Sequence, residues 1–209
     1  MTVNYIQLHK IRKTLENFPH AKLQIVTKNR DVQTIKELID KGYNLFGENK
    51  VQEANEKYKD INIPNLELHL IGPLQTNKVK LALNLFNTIQ SIDREKLVNE
   101  IVKVKNKSEV KTYDFFIQVN IGEEEQKSGV LPNSLQSLYE LCIDQNLNVS
   151  GLMCIPPFND NSKNHFDKLR SLRDRLNPSL KLSMGMSADY EISLNCGSNL
   201  IRVGSSIFS

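Results

Sequence analysis

The sequence is poor in features that would tie it to a specialised environment. Its three cysteines, Cys142, Cys154 and Cys196, are an odd number with no CxxC and no histidine at metal-ligand spacing, so neither a disulfide framework nor a zinc site is expected. No apolar stretch reaches 18 residues, and charges break every short apolar run of the opening MTVNYIQLHKIRKTL. A membrane-spanning helix and a signal peptide are therefore not expected, and the expected location is the cytoplasm. An excess of one charge is missing too: 27 Lys+Arg stand against 24 Asp+Glu, both signs interleaved, for a net +3. Nucleic acid and membrane surfaces are accordingly not expected partners. There is no Ser/Gly-rich linker and no low-complexity run, so the 209 residues are expected to form a single domain, 1–209.

What is present is an ordinary globular composition, 39% hydrophobic and 24% charged, arranged with a clear period. Eight short apolar, β-branched runs alternate with longer amphipathic stretches. The runs are LQIVTK (23–28), YNLFGEN (43–49), LELHLIG (66–72), NTIQSID (87–93), DFFIQVNI (114–121), NVSGLMCIP (148–156), LKLSMGMS (180–187) and NLIRVGSSIF (199–208). Helices are expected at 5–18, 31–41, 49–59, 76–86, 93–105, 132–145, 164–176 and 188–195; in 31–41, Asp31 can cap the start, Val32, Ile35, Leu38 and Ile39 form a stripe, and Gly42 ends it. Strands alternating with helices at this spacing are the pattern of a parallel α/β fold. Eight of them in this length fit a compact (β/α)8 TIM-type barrel with an extra N-terminal helix. A doubly wound open sheet is the rival, but it would gather polar residues at one switch point. Here they recur at the carboxyl ends of many strands: Lys28, Asn49, Gln75, Asn120, Ser187 and Ser205.

Three of these positions suggest chemistry. Strand alternation puts Gln24, Val26 and Lys28 on one face. If that face is the barrel interior, Lys28 is expected to be partly desolvated, with a lowered pKa and a neutral amine able to form a Schiff base with a carbonyl. Position alone equally describes a strand-end lysine in solvent. Leu200, Arg202 and Gly204 share a face of the last run, and an arginine in an apolar strand needs a partner, either a structural ion pair or an opening onto a ligand. Gly204 and Ser205 follow with accessible backbone N–H groups, and Ser187 is expected at the N-cap of the next helix. Together they place donors where barrel enzymes commonly hold phosphate. Asp189 and Glu191 would repel a phosphate unless they point away. FGEN (46–49) also reads simply as a glycine turn with Asn49 as an N-cap and Gln52 in capping-box position. His69 reads as a core histidine, Lys127 as a solvated loop charge, and Met184 and Met186 as core.

In order along the chain, IVTK, FGENKVQE, HLIGPLQTNK, IQVNIGEEEQKSG, GLMCIP, MGMSADYE and IRVGSSIF closely resemble the motifs of the pyridoxal phosphate homeostasis protein family, also called PROSC or YggS. The resemblance runs from residue 23 to 208. It implies a PLP fold type III barrel like the N-terminal domain of alanine racemase, without that enzyme's C-terminal β domain, binding pyridoxal 5'-phosphate (PLP) as a carrier or buffer rather than catalysing a reaction. By motif position, Lys28 resembles the Schiff-base lysine, Asn49 the residue near the pyridine ring and Arg202 the arginine facing the pyridine nitrogen, while Ser187, Gly204 and Ser205 resemble the phosphate cradle. Leu68 stands where the family usually has an aromatic, and Ser209 where it usually has a glycine. The expected partners are PLP and, beyond it, PLP-dependent apoenzymes. With no exposed apolar patch foreseeable from the helices, a monomer is expected.

Two other function classes fit the same residues. A PLP-dependent racemase would use Lys28 as one acid/base group and needs a second on the opposite face of the ring; the related racemase takes a tyrosine from an additional domain for which the sequence, ending at residue 209, leaves no room. A barrel aldolase would use Lys28 on a phosphorylated sugar with no cofactor.

Overall fold

The computed structural model describes residues 2–61, 63–158 and 160–208; Ser209 lies outside them. Eight strands form a closed, wholly parallel barrel in chain order: β1 (Lys22–Val26), β2 (Leu45–Glu48), β3 (Glu67–Leu70), β4 (Thr88–Ile92), β5 (Asp114–Val119), β6 (Val149–Cys154), β7 (Lys181–Ser183) and β8 (Leu200–Val203). Around it lie α1 (Tyr5–Leu15), α2 (Val32–Asp40), α3 (Val51–Tyr58), α4 (Val79–Leu85), α5 (Glu95–Lys105), α6 (Leu135–Asp144), α7 (Ser162–Leu176) and α8 (Tyr190–Asn195). Every expected strand and helix is found, with ends moved by a few residues. The largest moves are at the ends of the last two runs, 180–187 and 199–208, whose strands stop at Ser183 and Val203; α4 and α6 begin only after the short 3-10 turns Thr76–Lys78 and Pro132–Ser134.

Local chemistry sets the helix limits. The Asp31 carboxylate accepts the Thr34 N–H at 2.7 Å and starts α2, whose Ile35 and Leu38 turn inward. The chain then leaves the helix through Gly42 at φ +85°, a conformation that costs glycine little. The additional helix α1 buries Leu8 and Ile11, while Val3 pairs antiparallel with Phe208 and the Asn4 N–H donates to the Ile207 carbonyl. Among the described residues no helix is long and apolar enough to cross a membrane.

The strands divide the core in two. Alternate residues such as Ile25, Phe46, Phe115 and Leu152 face the helices and belong to the large outer core. Their neighbours face inward, where Leu45, Phe116, Met153 and Leu200 form a separate apolar cluster. Much of the rest of the interior is polar and paired across the ring, with Gln24 of β1 bonded to Gln90 of β4 at 3.1 Å and Gln90 to Ser183 of β7 at 2.6 Å. Bonds between strands so far apart in the ring can form only through its centre. The seam that closes it is the β1–β8 ladder, with Gln24 level with Arg202.

Gly151 shows how tightly that interior is filled. A Cβ there would sit 2.2 Å from Cε1 of the Phe116 ring and 2.6 Å from the Lys181 carbonyl oxygen. Gly151→Ala is expected to cost about 1–3 kcal/mol by overpacking, seen as a lower urea midpoint; an unchanged midpoint would mean that the ring and strand can move aside.

Candidate functional site

A cavity of about 510 Å³ opens at the carboxyl ends of the strands. Lys28, Asn49, Ser187, Arg202, Gly204 and Ser205 all line it. They come from β8 and from the loops after β7, β8, β1 and β2, which are consecutive in the ring, so the order of the fold groups them on one side of the mouth. Gln75 and Asn120 do not join them. Gln75 is exposed, and the buried Asn120 braces its own loop, its amide donating to the Glu124 carbonyl at 2.8 Å and its oxygen accepting the Glu124 N–H at 3.2 Å.

Lys28 lies two residues beyond the end of β1, above the rim of the barrel, and its side chain is exposed. The desolvation expected of it is therefore absent. What the structure provides instead is control of the backbone on both sides. On one side the Thr27 carbonyl accepts from Lys57 Nζ at 2.7 Å, and on the other the Asn29 N–H donates to Glu53 Oε1 at 2.5 Å. Asn29 itself sits at φ +57°, a left-handed conformation that asparagine tolerates better than most residues. Lys57 holds both carboxylates of the clamp, Glu48 at 2.5 Å and Glu53 at 2.9 Å. Since the Glu48 carboxylate can only accept, Thr27 Oγ1 donates to it at 2.7 Å and in turn accepts from the Tyr58 hydroxyl at 2.7 Å. Burial pushes the Glu48 pKa up, against the opposing pull of the Lys57 ammonium and the Thr27 hydroxyl. It pushes the Tyr58 phenol up as well, so the phenol stays a donor. None of these supports was singled out in the sequence.

Asn49 is not a helix cap: α3 starts after Lys50, which makes no side-chain capping bond. Asn49 instead borders the cavity beside Gly72, where a Cβ would fall 2.1 Å from the Asn49 carbonyl oxygen. Only glycine allows these two loops to lie so close.

Arg202 is 4% exposed. Its Nη1 donates to Ser183 Oγ and its Nη2 to the Cys154 carbonyl, each at 2.7 Å, so its hydrogen-bond partners are neutral oxygens rather than the carboxylate of a structural ion pair. Burial lowers its pKa from the usual very high value, while Cys154 and Asp189 act in the opposite sense. Ser187 is not the N-cap of α8, a position that Asp189 takes without a side-chain capping bond. The Asp189 carboxylate folds back to accept the Met186 N–H at 2.7 Å, and Glu191 accepts from the Tyr190 hydroxyl at 3.0 Å. Ser187 Oγ accepts the Ser206 N–H at 3.3 Å, tying the loop after β7 to the loop after β8. At Gly204 a Cβ would approach the Val26 carbonyl oxygen to 3.0 Å, so glycine lets the end of β8 lie close against β1.

The other wall of the cavity was largely missed. Gln118 of β5 donates to the Ser128 carbonyl at 3.1 Å, while its buried Oε1 has no partner. Lys127, read from sequence as a solvated loop charge, is half-buried and borders the cavity, held by Glu124 at 2.5 Å and the Pro156 carbonyl at 3.3 Å. Met184 is core, but Met186 is 36% exposed at the mouth. Lys127 lies in the loop after β5, whose return to the barrel, through the Val119–Val130 bridge, no local pattern announces. His69 is buried, its Nδ1 2.8 Å from Gln90 Nε2, and lines a separate cavity of about 110 Å³ at the amino ends of the strands.

The family model "Alanine racemase, N-terminal domain" matches residues 7–209. The pyridoxal phosphate homeostasis protein of Aquifex aeolicus is 40% identical over 96% of this chain and 93% of its own length. That of Pasteurella multocida is 35% identical over 96% and 91%. PipY of Synechococcus elongatus, solved without PLP, superposes with a TM-score of 0.83 at 30% identity, covering 94% of this chain and 99% of PipY. Its PLP-bound form gives 0.79 at 29% identity over the same shares. Alanine racemase from Corynebacterium glutamicum, at 16% identity and a TM-score of 0.71 over 94% of this chain and 57% of the racemase, shares the fold. From the eight-stranded barrel and these matches along nearly its whole length, the chain belongs to the pyridoxal phosphate homeostasis proteins, within the family of the alanine racemase N-terminal domain.

Proposed function

We propose that this protein, acting as one domain over residues 1–209, binds PLP in the cavity at the carboxyl ends of the strands and holds it reversibly for supply to PLP-dependent apoenzymes, as a monomer in the cytoplasm. The observation that carries this reading is the meeting of one amine, one buried guanidinium and two serine-bearing loops around a single cavity, whose volume falls in the range of about 300–1,000 Å³ typical of small-molecule sites. The donor set fits the group. PLP, when bound, supplies an aldehyde that condenses reversibly with an amine, a phosphate dianion and a ring nitrogen. Lys28 offers the amine from a backbone clamped by Lys57 and Glu53. Ser187, Gly204 and Ser205 offer hydroxyl and backbone donors to the phosphate, and Asn49 lies at the side of the ring. Arg202 has only donors, so a nitrogen opposite it is kept as an acceptor and stays unprotonated. That weakens the ring as an electron sink and suits holding more than carbanion chemistry.

A racemase needs a second acid/base group facing the first. Among the described residues, those lining this cavity include no tyrosine, histidine, cysteine, aspartate or glutamate, and the other amine there, Lys127, is engaged by Glu124 and Pro156. This supports the carrier reading over the enzyme.

The wild-type protein mixed with PLP is expected to show a long-wavelength absorption band that Lys28→Ala lacks; a band in both, or in neither, overturns the role given to Lys28. Incubating the loaded protein with L-amino acids is expected to yield no D-enantiomers, and sustained turnover would reject the carrier reading. The clamp makes a separate prediction. Lys57→Met leaves Glu48 buried without its countercharge and is expected to cost about 3–5 kcal/mol, whereas the double variant Glu48→Gln/Lys57→Met recovers most of it. Urea denaturation of the three proteins checks this, and equal midpoints for the single and double variants would contradict it.

A further inference from the structure

Inside the barrel, below the cavity, one hydrogen-bonded chain crosses from β8 to β3. Arg202 Nη1 lies 2.7 Å from Ser183 Oγ, Ser183 Oγ 2.6 Å from Gln90 Oε1, and Gln90 Nε2 3.1 Å from Gln24 Oε1 and 2.8 Å from His69 Nδ1. All five residues are buried, and Ser183, Gln90 and His69 do not line the cavity. The direction of every bond is forced. A guanidinium has no acceptor and the Phe46 carbonyl no donor, so Ser183 accepts from Arg202, while Gln24, donating to Phe46, turns its Oε1 to the Gln90 amide and leaves Gln90 Oε1 to take the Ser183 proton. That fixes the Gln90 amide, whose two N–H groups then point to Gln24 and His69. Gln24 closes its branch by donating to the Phe46 carbonyl at 3.2 Å. His69 Nδ1 is left to accept, so the ring is neutral with its proton on Nε2.

We infer that Ser183 and Gln90 are positioning residues for Arg202, and that Gln90, pinned in one orientation by Gln24 and the Phe46 carbonyl, dictates the tautomer of His69 at the opposite end of the barrel. The surroundings of His69 agree. Among the described residues its Nε2 has no hydrogen-bond partner; it lies 3.5 Å from the Glu67 carboxylate, in a cavity that Lys22, Asp114 and Lys181 also line. Burial lowers its pKa, Lys181 adds to this, and Glu67 and Asp114 oppose it. A proton on Nδ1 would face the Gln90 amide donor to donor, and relieving it would mean reversing Gln90 and Gln24 against the Phe46 carbonyl, which cannot donate.

The consequence for the cavity rests on Arg202 being the ring contact proposed above. Without Ser183 or Gln90 the guanidinium keeps its Cys154 bond but loses the one that sets its angle. The test uses wild type, Ser183→Ala, Gln90→Met and Arg202→Gln, each checked for folding by circular dichroism, with Gln90→Met deciding should Ser183→Ala not fold. In the protein without PLP, nitrogen NMR of labelled histidine is expected to show a single Nε2–H tautomer for His69 in wild type and its loss in Gln90→Met. On titration with PLP, Ser183→Ala and Gln90→Met are expected to bind about tenfold more weakly, the order for losing one hydrogen bond to a charged group, and to shift the absorption band in the same sense as Arg202→Gln. An unchanged His69 tautomer in Gln90→Met overturns the tautomer inference whatever PLP does. Wild-type binding and band in Ser183→Ala and Gln90→Met, with both altered in Arg202→Gln, overturn the positioning role. If Arg202→Gln itself leaves PLP binding and the band untouched, the assigned ring contact fails and the positioning role falls with it.

Discussion

The ladder between β1 and β8 is the contact on which the site depends. Lys28 and the Gly204–Ser205 loop come from opposite ends of the chain and are neighbours only because the first and last strands pair, Ile25 level with Val203. Parallel pairing puts both carboxyl ends on the same side of the ring, so closing the barrel brings the amine and the serine-bearing loops together with no further device. Gly204 permits the close approach at the top of that seam, and Arg202, opposite Gln24, anchors its middle.

Once the ring is closed, its interior has to satisfy a buried positive charge. Most barrels fill this space with branched apolar residues; here the apolar filling is confined to Leu45, Phe116, Met153 and Leu200, and amides and hydroxyls occupy the rest. A buried polar group without partners would be costly, and the Gln24–Gln90–Ser183–Arg202 chain leaves few unmatched. The second charged cluster, Glu48–Lys57–Glu53, lies between β2 and α3 and acts on backbone rather than on a ligand. Both clusters place a rigid polar frame beneath side chains that must hold one geometry, in keeping with sites whose supporting residues matter as much as those in contact.

The barrel was legible because its signal is repeated: eight apolar runs at similar spacing, with capped amphipathic helices such as α2 between them. The six cavity residues were legible for a different reason, since strand ends in this fold converge on one mouth and polar residues there stand out against apolar neighbours. What could not be read was anything depending on pairing across the ring. Gln90 and Ser183 look like ordinary polar residues in strands, and nothing local says that they meet. Lys57 sits on a helix whose charged residues suggest a solvated face, yet it is 8% exposed because Glu48 and the Thr27 carbonyl draw it in. Lys28 went astray by a geometric margin: strand alternation was extended two residues beyond the point where β1 ends, and the side chain it placed inside the barrel stands at the rim.

That placement bears on how a cargo leaves. A reactive amine sealed under a lid makes dwell time a property of the lid's motion, and unloading then waits on a conformational clock. With Lys28 open to solvent on a firmly held backbone, an incoming amine or water would reach a linkage formed there directly. On the function proposed above, dwell time would then follow ambient nucleophile concentration, and the protein would act as a reservoir whose outflow rises with the supply of acceptor amines.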